Sequence, residues 1–190
     1  MRAATLRFGQ TGIAGTSLRA IAGDVGVTFA TVHHHFGNKA GLYDRCLEEG
    51  YAQLASLPEA MLTGLGEGDD EARLRRLVAI ALEASLSRRD VSRFLLRATL
   101  YETEGPSRPR IERAQVSFLD VGSQVLGAAL GRPPTSLRLP LQGLMILLTR
   151  LAVMDEPQRA SLAASDAEIE RYVGDVAVAT LLGDPDDDVP

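Results

Sequence analysis

The sequence predicts an all-α protein, on three observations. Apolar residues recur three and four positions apart along most of its length, which is the mark of helices with one buried face. Glycine and proline gather in a few short stretches, around residues 63–70, 105–109, 131–134 and 183–190. No stretch alternates apolar and polar residues as a half-buried strand would.

The first helix covers residues 1–11, with Ala4 and Phe8 inward, and Gly12 ends it. Residues 13–15 connect it to a second helix. There Leu18, Ile21, Ala22 and Val25 form one face, and Thr16 or Ser17 can cap the start with a hydroxyl. Gly26 closes that helix and Val27 is expected to be buried in the turn. Thr28 caps a third helix to about His34, with Val32 and Phe36 facing back, and Gly37 ends it. Two short helices about a glycine turn make a helix-turn-helix, whose second helix enters the DNA major groove.

Asn38 caps a fourth helix over 39–57, ended by Pro58, with Leu42, Tyr43, Cys46, Leu47, Tyr51 and Leu54 on its apolar face. Residues 63–70 read as a loop, and 71–87 as a fifth helix. Asp90 caps a sixth that ends at Tyr101. A seventh helix runs over 110–130. An eighth covers 136–154, with Pro140 near its first turn, and residues 155–157 end it. The ninth covers 166–182, with Ile169, Tyr172, Val173, Val176, Ala177 and Thr180 on one face. Residues 184–190 form an acidic, proline-bearing tail expected to be disordered.

The 190 residues, 45% of them hydrophobic, are enough for a core. The single cysteine, Cys46, rules out an intrachain disulfide and fits a reducing, cytoplasmic setting. The start of the chain reads as an amphipathic helix and not as a signal peptide. The longest apolar stretch, 141–154, contains Gln142, Thr149 and Arg150 and falls short of the roughly 20 residues a bilayer needs. A buried helix is expected there, and no membrane partner. The net charge of −5 is unevenly spread. Residues 1–46 carry five basic and two acidic side chains, a balance of +3, leaving −8 for the rest. A basic head on an acidic body suits a protein that meets nucleic acid at one end.

Residues 12–47 resemble the DNA-binding domain of the tetracycline-repressor-like (TetR) family of bacterial regulators. The resemblance rests on Gly12, Gly15-Thr16-Ser17, Leu18 with Ile21-Ala22, Gly26-Val27-Thr28, Thr31-Val32, His34-His35-Phe36, Asn38-Lys39 and Leu42-Tyr43. It implies a helix-turn-helix domain at 1–46 and a helical ligand-binding and dimerisation domain at 47–183. It also implies a homodimer on a pseudo-palindromic operator in double-stranded DNA, and a small-molecule effector that releases a repressor. Where the family commonly has a tyrosine in the third helix, this chain has His33.

Within that frame, helix N-termini and hydroxyls favour phosphate, which assigns Ser17, Thr28, Thr31 and Lys39 to the DNA backbone; the resemblance implies the same for Ser17 and Lys39. Thr28, Phe29, Ala30, His33 and His34 front the groove, where Phe29 and Ala30 can touch thymine methyls. No arginine, asparagine or glutamine lies on this helix, so direct guanine or adenine reading is thin unless Arg19 or an N-terminal residue contributes, and shape readout can carry more of the specificity. Three consecutive histidines point about 100° apart and cannot converge on one metal ion, and His35 is expected in the core beside Phe36.

In the body, Leu144, Leu148 and Leu151 with Tyr172, Val173, Val176 and Ala177 are the expected dimer face, beside the small residues Gly174 and Ala179. The resemblance implies a pocket among the middle helices, where Phe94, Arg97, Tyr101, Phe118 and Met145 are the candidates, with Arg97 and Arg150 suited to an acidic ligand. No phosphate loop, nucleophile motif or ligand-spaced cluster occurs, so no enzyme, cofactor or metal is expected. A second reading is a helical ligand-binding or protein-interaction module that has lost specific DNA binding.

Overall fold

The computed structural model describes residues 1–55, 57, 63, 67–102, 104–162 and 165–183. The described residues form ten helices and no strand: α1 (Arg2–Gly15), α2 (Leu18–Asp24), α3 (Phe29–Phe36), α4 (Lys39–Ala55), α5 (Asp70–Ser87), α6 (Arg89–Tyr101), α7 (Arg108–Leu130), α8 (Pro134–Val153), α9 (Glu156–Ala160) and α10 (Asp166–Leu182). The break expected at Pro58 and the tail at 184–190 lie outside the described residues.

The chain packs as two compact units. One comprises Met1–Ala55 and Arg88–Gln115, the other Ser56–Ser87 and Val116–Pro190. The first is larger than the segment 1–46 marked out by charge and motif, because α6 completes its core. Phe8 of α1, Tyr43 of α4 and Phe94 of α6 are fully buried. Tyr43 meets Phe8 edge-on at 5.0 Å and Phe94 edge-on at 5.2 Å. Such pairs add about 0.5–1.5 kcal/mol beyond the area they bury. Leu18, Ile21, Val32, Leu42, Leu47 and Ile111 surround the rings.

In this unit α1 is longer than expected but broken. Gly12, at φ 72° and ψ 177°, interrupts it without ending it, and a helical turn follows to Gly15. A Cβ at Gly12 would lie 2.9 Å from Arg97 Nε, so both the backbone and the space require glycine. Asp90 does not cap α6. The helix starts two residues earlier, after Arg88, and Asp90 sits in its first turn, where the helix dipole favours a carboxylate, 3.8 Å from Arg2.

The second unit has an aliphatic core: Leu74, Leu77, Val78 and Leu82 of α5, Leu126 and Leu130 of α7, Leu137, Leu144 and Leu148 of α8, and Val173, Ala177 and Leu181 of α10. Because α8 begins at Pro134, Pro140 falls inside the helix and not in its first turn. As expected, α8 ends before residues 155–157, and these residues also open α9. Asp155 and Gln158 form a capping box there, which supplies the tenth helix. Ser165 and Glu168 form another at the head of α10, and Glu168 is held below its usual pKa by accepting from Ser165. At the other end Arg132 donates to the carbonyls of Leu181 at 2.9 Å and Leu182 at 3.0 Å, a cation on orphan C-terminal acceptors.

By length and composition alone, α8 could cross a membrane, unlike the shorter stretch considered above. Leu137, Leu144 and Leu148 nevertheless bury in the core of this unit, and Ala152 is buried as well.

Candidate nucleic-acid interface

The two helices of the motif start and stop by local chemistry. Ser17 Oγ accepts from the Ala20 amide at 3.1 Å and caps α2. Thr16 does a different job. Its hydroxyl is buried and donates to the Gly12 carbonyl at 2.8 Å, which ties α2 to the end of α1. After Asp24 the chain turns through Gly26 at φ 69°. The Gly26 amide donates to the Gly23 carbonyl and the Val27 amide to the Ala22 carbonyl, the paired bonds of a Schellman ending. Thr28 Oγ1 then accepts from the Thr31 amide at 3.1 Å and lies 3.0 Å from the Thr31 hydroxyl, so one capping pair opens α3. At its far end the Gly37 amide donates to the His33 carbonyl. Asn38 Oδ1 accepts from Gly41 at the head of α4.

Everything from Gly23 to Thr31 is exposed. Two expectations fail there. Val25 is 51% exposed and Val27 41%, because α2 ends at Asp24 and the Schellman turn carries both side chains off its buried face. His35 is exposed as well. Val32 is the buried residue of α3 and Phe36 is partly buried, and His35 falls between their directions. Phe29, Ala30, Thr31, His33 and His34 all sit on the open side.

Arg7 pairs through Nε and Nη2 with the Asp24 carboxylate. This braces the C-terminal end of α2, where a bare carboxylate would oppose the dipole. Arg7 correspondingly holds Asp24 below the usual carboxylate range. The ammonium of Lys39 donates to the Thr16 carbonyl at 3.0 Å, beside the Ser17 cap, and so pins the start of α4 to the start of α2. Arg45 pairs with Glu48 on α4.

Arg19, in the first turn of α2, is different. Its guanidinium carbon lies 5.0 Å from the centre of the Phe29 ring. His33 flanks the same ring at 5.6 Å. Its place at a helix N-terminus is one that the dipole disfavours for a cation.

The expected pocket residues do not form one described cavity. Phe94 is core of the first unit. Arg97 and Tyr101 belong to that unit too, with the guanidinium carbon 5.3 Å from the centre of the Tyr101 ring and Nε buried without an acceptor among the described residues. Phe118 and Met145, both partly buried, belong to the second unit. A surface cavity of about 280 Å³ in that unit is lined by Arg75, Ala167, Glu170, Arg171 and Gly174, none of them expected.

Of the expected dimer face, Leu144, Leu148, Val173 and Ala177 are buried in the unit's own core, with Leu151 and Val176 packed partly against it. Tyr172 alone points out, 59% exposed. Val173, Ala177 and Leu181 are the buried face of α10. Gly174 is also used internally: a Cβ there would lie 2.9 Å from Arg75 Nη1.

Residues 1–46 match the sequence model of the bacterial regulatory proteins of the tetR family. Over 97 residues, 51% of its length, the chain is 28% identical to a Bacillus subtilis (strain 168) protein described as the probable HTH-type transcriptional regulator YttP. The match spans about half of that relative, 47% of its length. Among solved structures, PfmR, a TetR family transcriptional regulator from Thermus thermophilus, aligns with a TM-score of 0.63 at 17% identity, over 96% of both chains. AmtR from Mycobacterium smegmatis aligns with a TM-score of 0.60 at 23% identity, over 97% of this chain and 84% of that one. A putative TetR-family regulator from Mesorhizobium loti gives 0.65 at 20% identity, over 95% and 92%. At these identities the structural likeness is one of fold.

Proposed function

We propose that this chain, a TetR-family protein, is a cytoplasmic, dimeric, sequence-specific DNA-binding transcriptional regulator that represses until a small-molecule effector releases it. One observation carries the reading. Two side-chain-capped helices joined by a Schellman turn leave the whole front of α3 open while their backs are locked into an aromatic core.

Ser17, Thr28 and Thr31 present hydroxyls and helix-end amides to DNA phosphates. Lys39, hydrogen-bonded beside the Ser17 cap, adds positive charge to the same end. Phe29, Ala30, His33 and His34 front the groove. For the dimer, the support moves to the outer side of α8. Leu139 and Ile146, 82% and 49% exposed, stand seven residues apart, with Gly143 in open space between them. That stripe, with Tyr172, offers apolar surface the second unit does not bury. A symmetric pair would set two recognition helices about 34–36 Å apart. For the effector, the buried and unsatisfied Nε of Arg97 favours an acidic group.

The test is a mobility shift on DNA from upstream of the protein's own coding region, with light scattering on the same sample. A competitor-resistant complex of two chains per duplex is expected. Equal affinity for all duplexes would leave only non-specific binding, and a monomer at micromolar concentration would remove the dimer.

A further inference from the structure

All three histidines of the chain stand side by side, as His33, His34 and His35, and all are exposed in the last turn of α3. Histidine is the side chain whose charge ordinarily changes between about pH 5 and 8. The chain therefore gathers that chemistry on a single helix face. Among the described residues no carboxylate pairs with any of the three. None occurs in the sequence between Asp24 and Asp44. The helices packed on α3 carry Arg19 and Asp24 on α2, and Lys39, Asp44, Arg45, Glu48 and Glu49 on α4. Asp24 is held by Arg7, Asp44 by Ser107 and Arg110, and Glu48 by Arg45 and Arg110. Glu49 stands about 15 Å along α4 from Lys39. Arg19 and Lys39 are cations themselves.

An imidazolium on this face thus has no counter-ion of its own. The rings of His34 and His35 lie 5.6 Å apart, and two charged rings at that distance repel. An anion from outside removes the penalty. Consecutive helical side chains point about 100° apart, so the three span roughly 200° of the α3 circumference. A helix with its side chains is about 10–12 Å across, and the major groove is about 12 Å wide. A helix seated there brings the flanks of such an arc to the phosphates of both walls.

We infer that His33, His34 and His35 couple DNA binding to protons: their imidazoles charge against the phosphates of the groove walls, and affinity for DNA rises as pH falls from about 8 to 6. The inference rests on the DNA-binding reading above. A phosphate beside an imidazole favours its charged form. The added affinity is therefore full in mild acid and is lost as pH rises through the titration of the bound state. Because phosphates make the contact, the coupling does not depend on base sequence.

The experiment titrates the full chain onto two duplexes, one from upstream of its own coding region and one of random sequence, at about pH 6 and about pH 8 over a range of salt. It compares wild type with His33→Gln, His34→Gln, His35→Gln and the triple variant; glutamine stays polar and does not titrate. Wild type should bind both duplexes roughly tenfold more tightly at the lower pH. Its slope of log affinity against log salt should steepen by about 0.9 for each imidazolium added. Calorimetry in buffers of different ionisation enthalpy should show protons entering the complex. The triple variant should lose the pH dependence, and each single variant part of it. A wild type whose affinity and salt slope are the same at both pH values would overturn the inference and leave DNA binding in place. A gain that survives in the triple variant would overturn it as well, and place the protons on another group such as the terminal amine. A gain confined to the upstream duplex would overturn the phosphate contact. Where the triple variant does not bind, the single variants decide, and an undiminished gain in all three overturns the inference. A wild type that binds neither duplex at either pH overturns the DNA-binding reading itself.

Discussion

The two units solve the same packing problem with different residues. The first gathers Phe8, Tyr43 and Phe94, from three distant stretches, into an edge-on cluster. The second fills its core with leucine and valine from α5, α7, α8 and α10, and no aromatic residue is among its fully buried ones. Rings that meet edge-on have preferred angles as well as volumes, whereas leucines fill space with little angular demand. The unit that must hold α3 in one attitude is the one built on oriented rings. The contrast extends to charge. Several of the head's cations also have partners within it: Arg7 with Asp24, Arg45 with Glu48 and Lys39 on the Thr16 carbonyl, while Arg19 lies over the Phe29 ring.

The two cores can be emptied one at a time. Phe94→Ala should cost about 3–5 kcal/mol and Leu77→Ala about 2–5, by denaturant titration. Phe94→Ala should abolish DNA binding at a temperature where Leu77→Ala retains it. If both lose it together, the two cores do not act as separate supports. Next in size is Gly12→Ala, which forces an alanine to φ 72° and a methyl to within 2.9 Å of Arg97 Nε. A loss of about 1–3 kcal/mol is expected, and the double variant Gly12→Ala/Arg97→Ala should recover the steric part only.

Smaller again are the caps. Ser17→Ala should cost about 1 kcal/mol and weaken DNA binding, whereas Ser165→Ala should cost a similar amount and leave DNA binding alone. The smallest effect is a pH dependence. Asp24 has its carboxyl lowered by Arg7 from an unfolded value of 3.8. Its contribution is therefore full above that value and is lost as pH falls through the lower folded value. Melting curves of wild type and Asp24→Asn should differ at neutral pH and converge in acid; a constant gap would place the stabilisation elsewhere. Cys46 marks the inside of the same unit. Burial pushes its thiol up to about 11, so it should resist alkylation at neutral pH until the head unfolds.

Much of the fold was legible along the chain. The start of α3 and its cap, the turn at Gly26, the end at Gly37 and the bounds of α10 follow from spacing and from hydroxyl and glycine chemistry within a few residues. The errors came where a side chain's fate is set by elements remote in sequence. Val25 fits the helical stripe yet lies past the helix end; Leu144 and Val173 look like surplus apolar surface yet are core. Gly12 reads as a stop but is a kink, because Arg97, 85 positions later, lies against it.

In the motif itself, Ser17 and Thr28 were readable as caps because capping needs only an oxygen and an amide three residues on. The roles of Arg7, Lys39 and Arg19 were not, since each depends on a partner brought across a helix-helix contact. Periodicity and capping are short-range and survive in the bare sequence. The pairing of Arg7 with Asp24, the bond of Lys39 to the Thr16 carbonyl and the placing of Arg19 over Phe29 are long-range, and they are decided only when α1, α2, α3 and α4 close on one another.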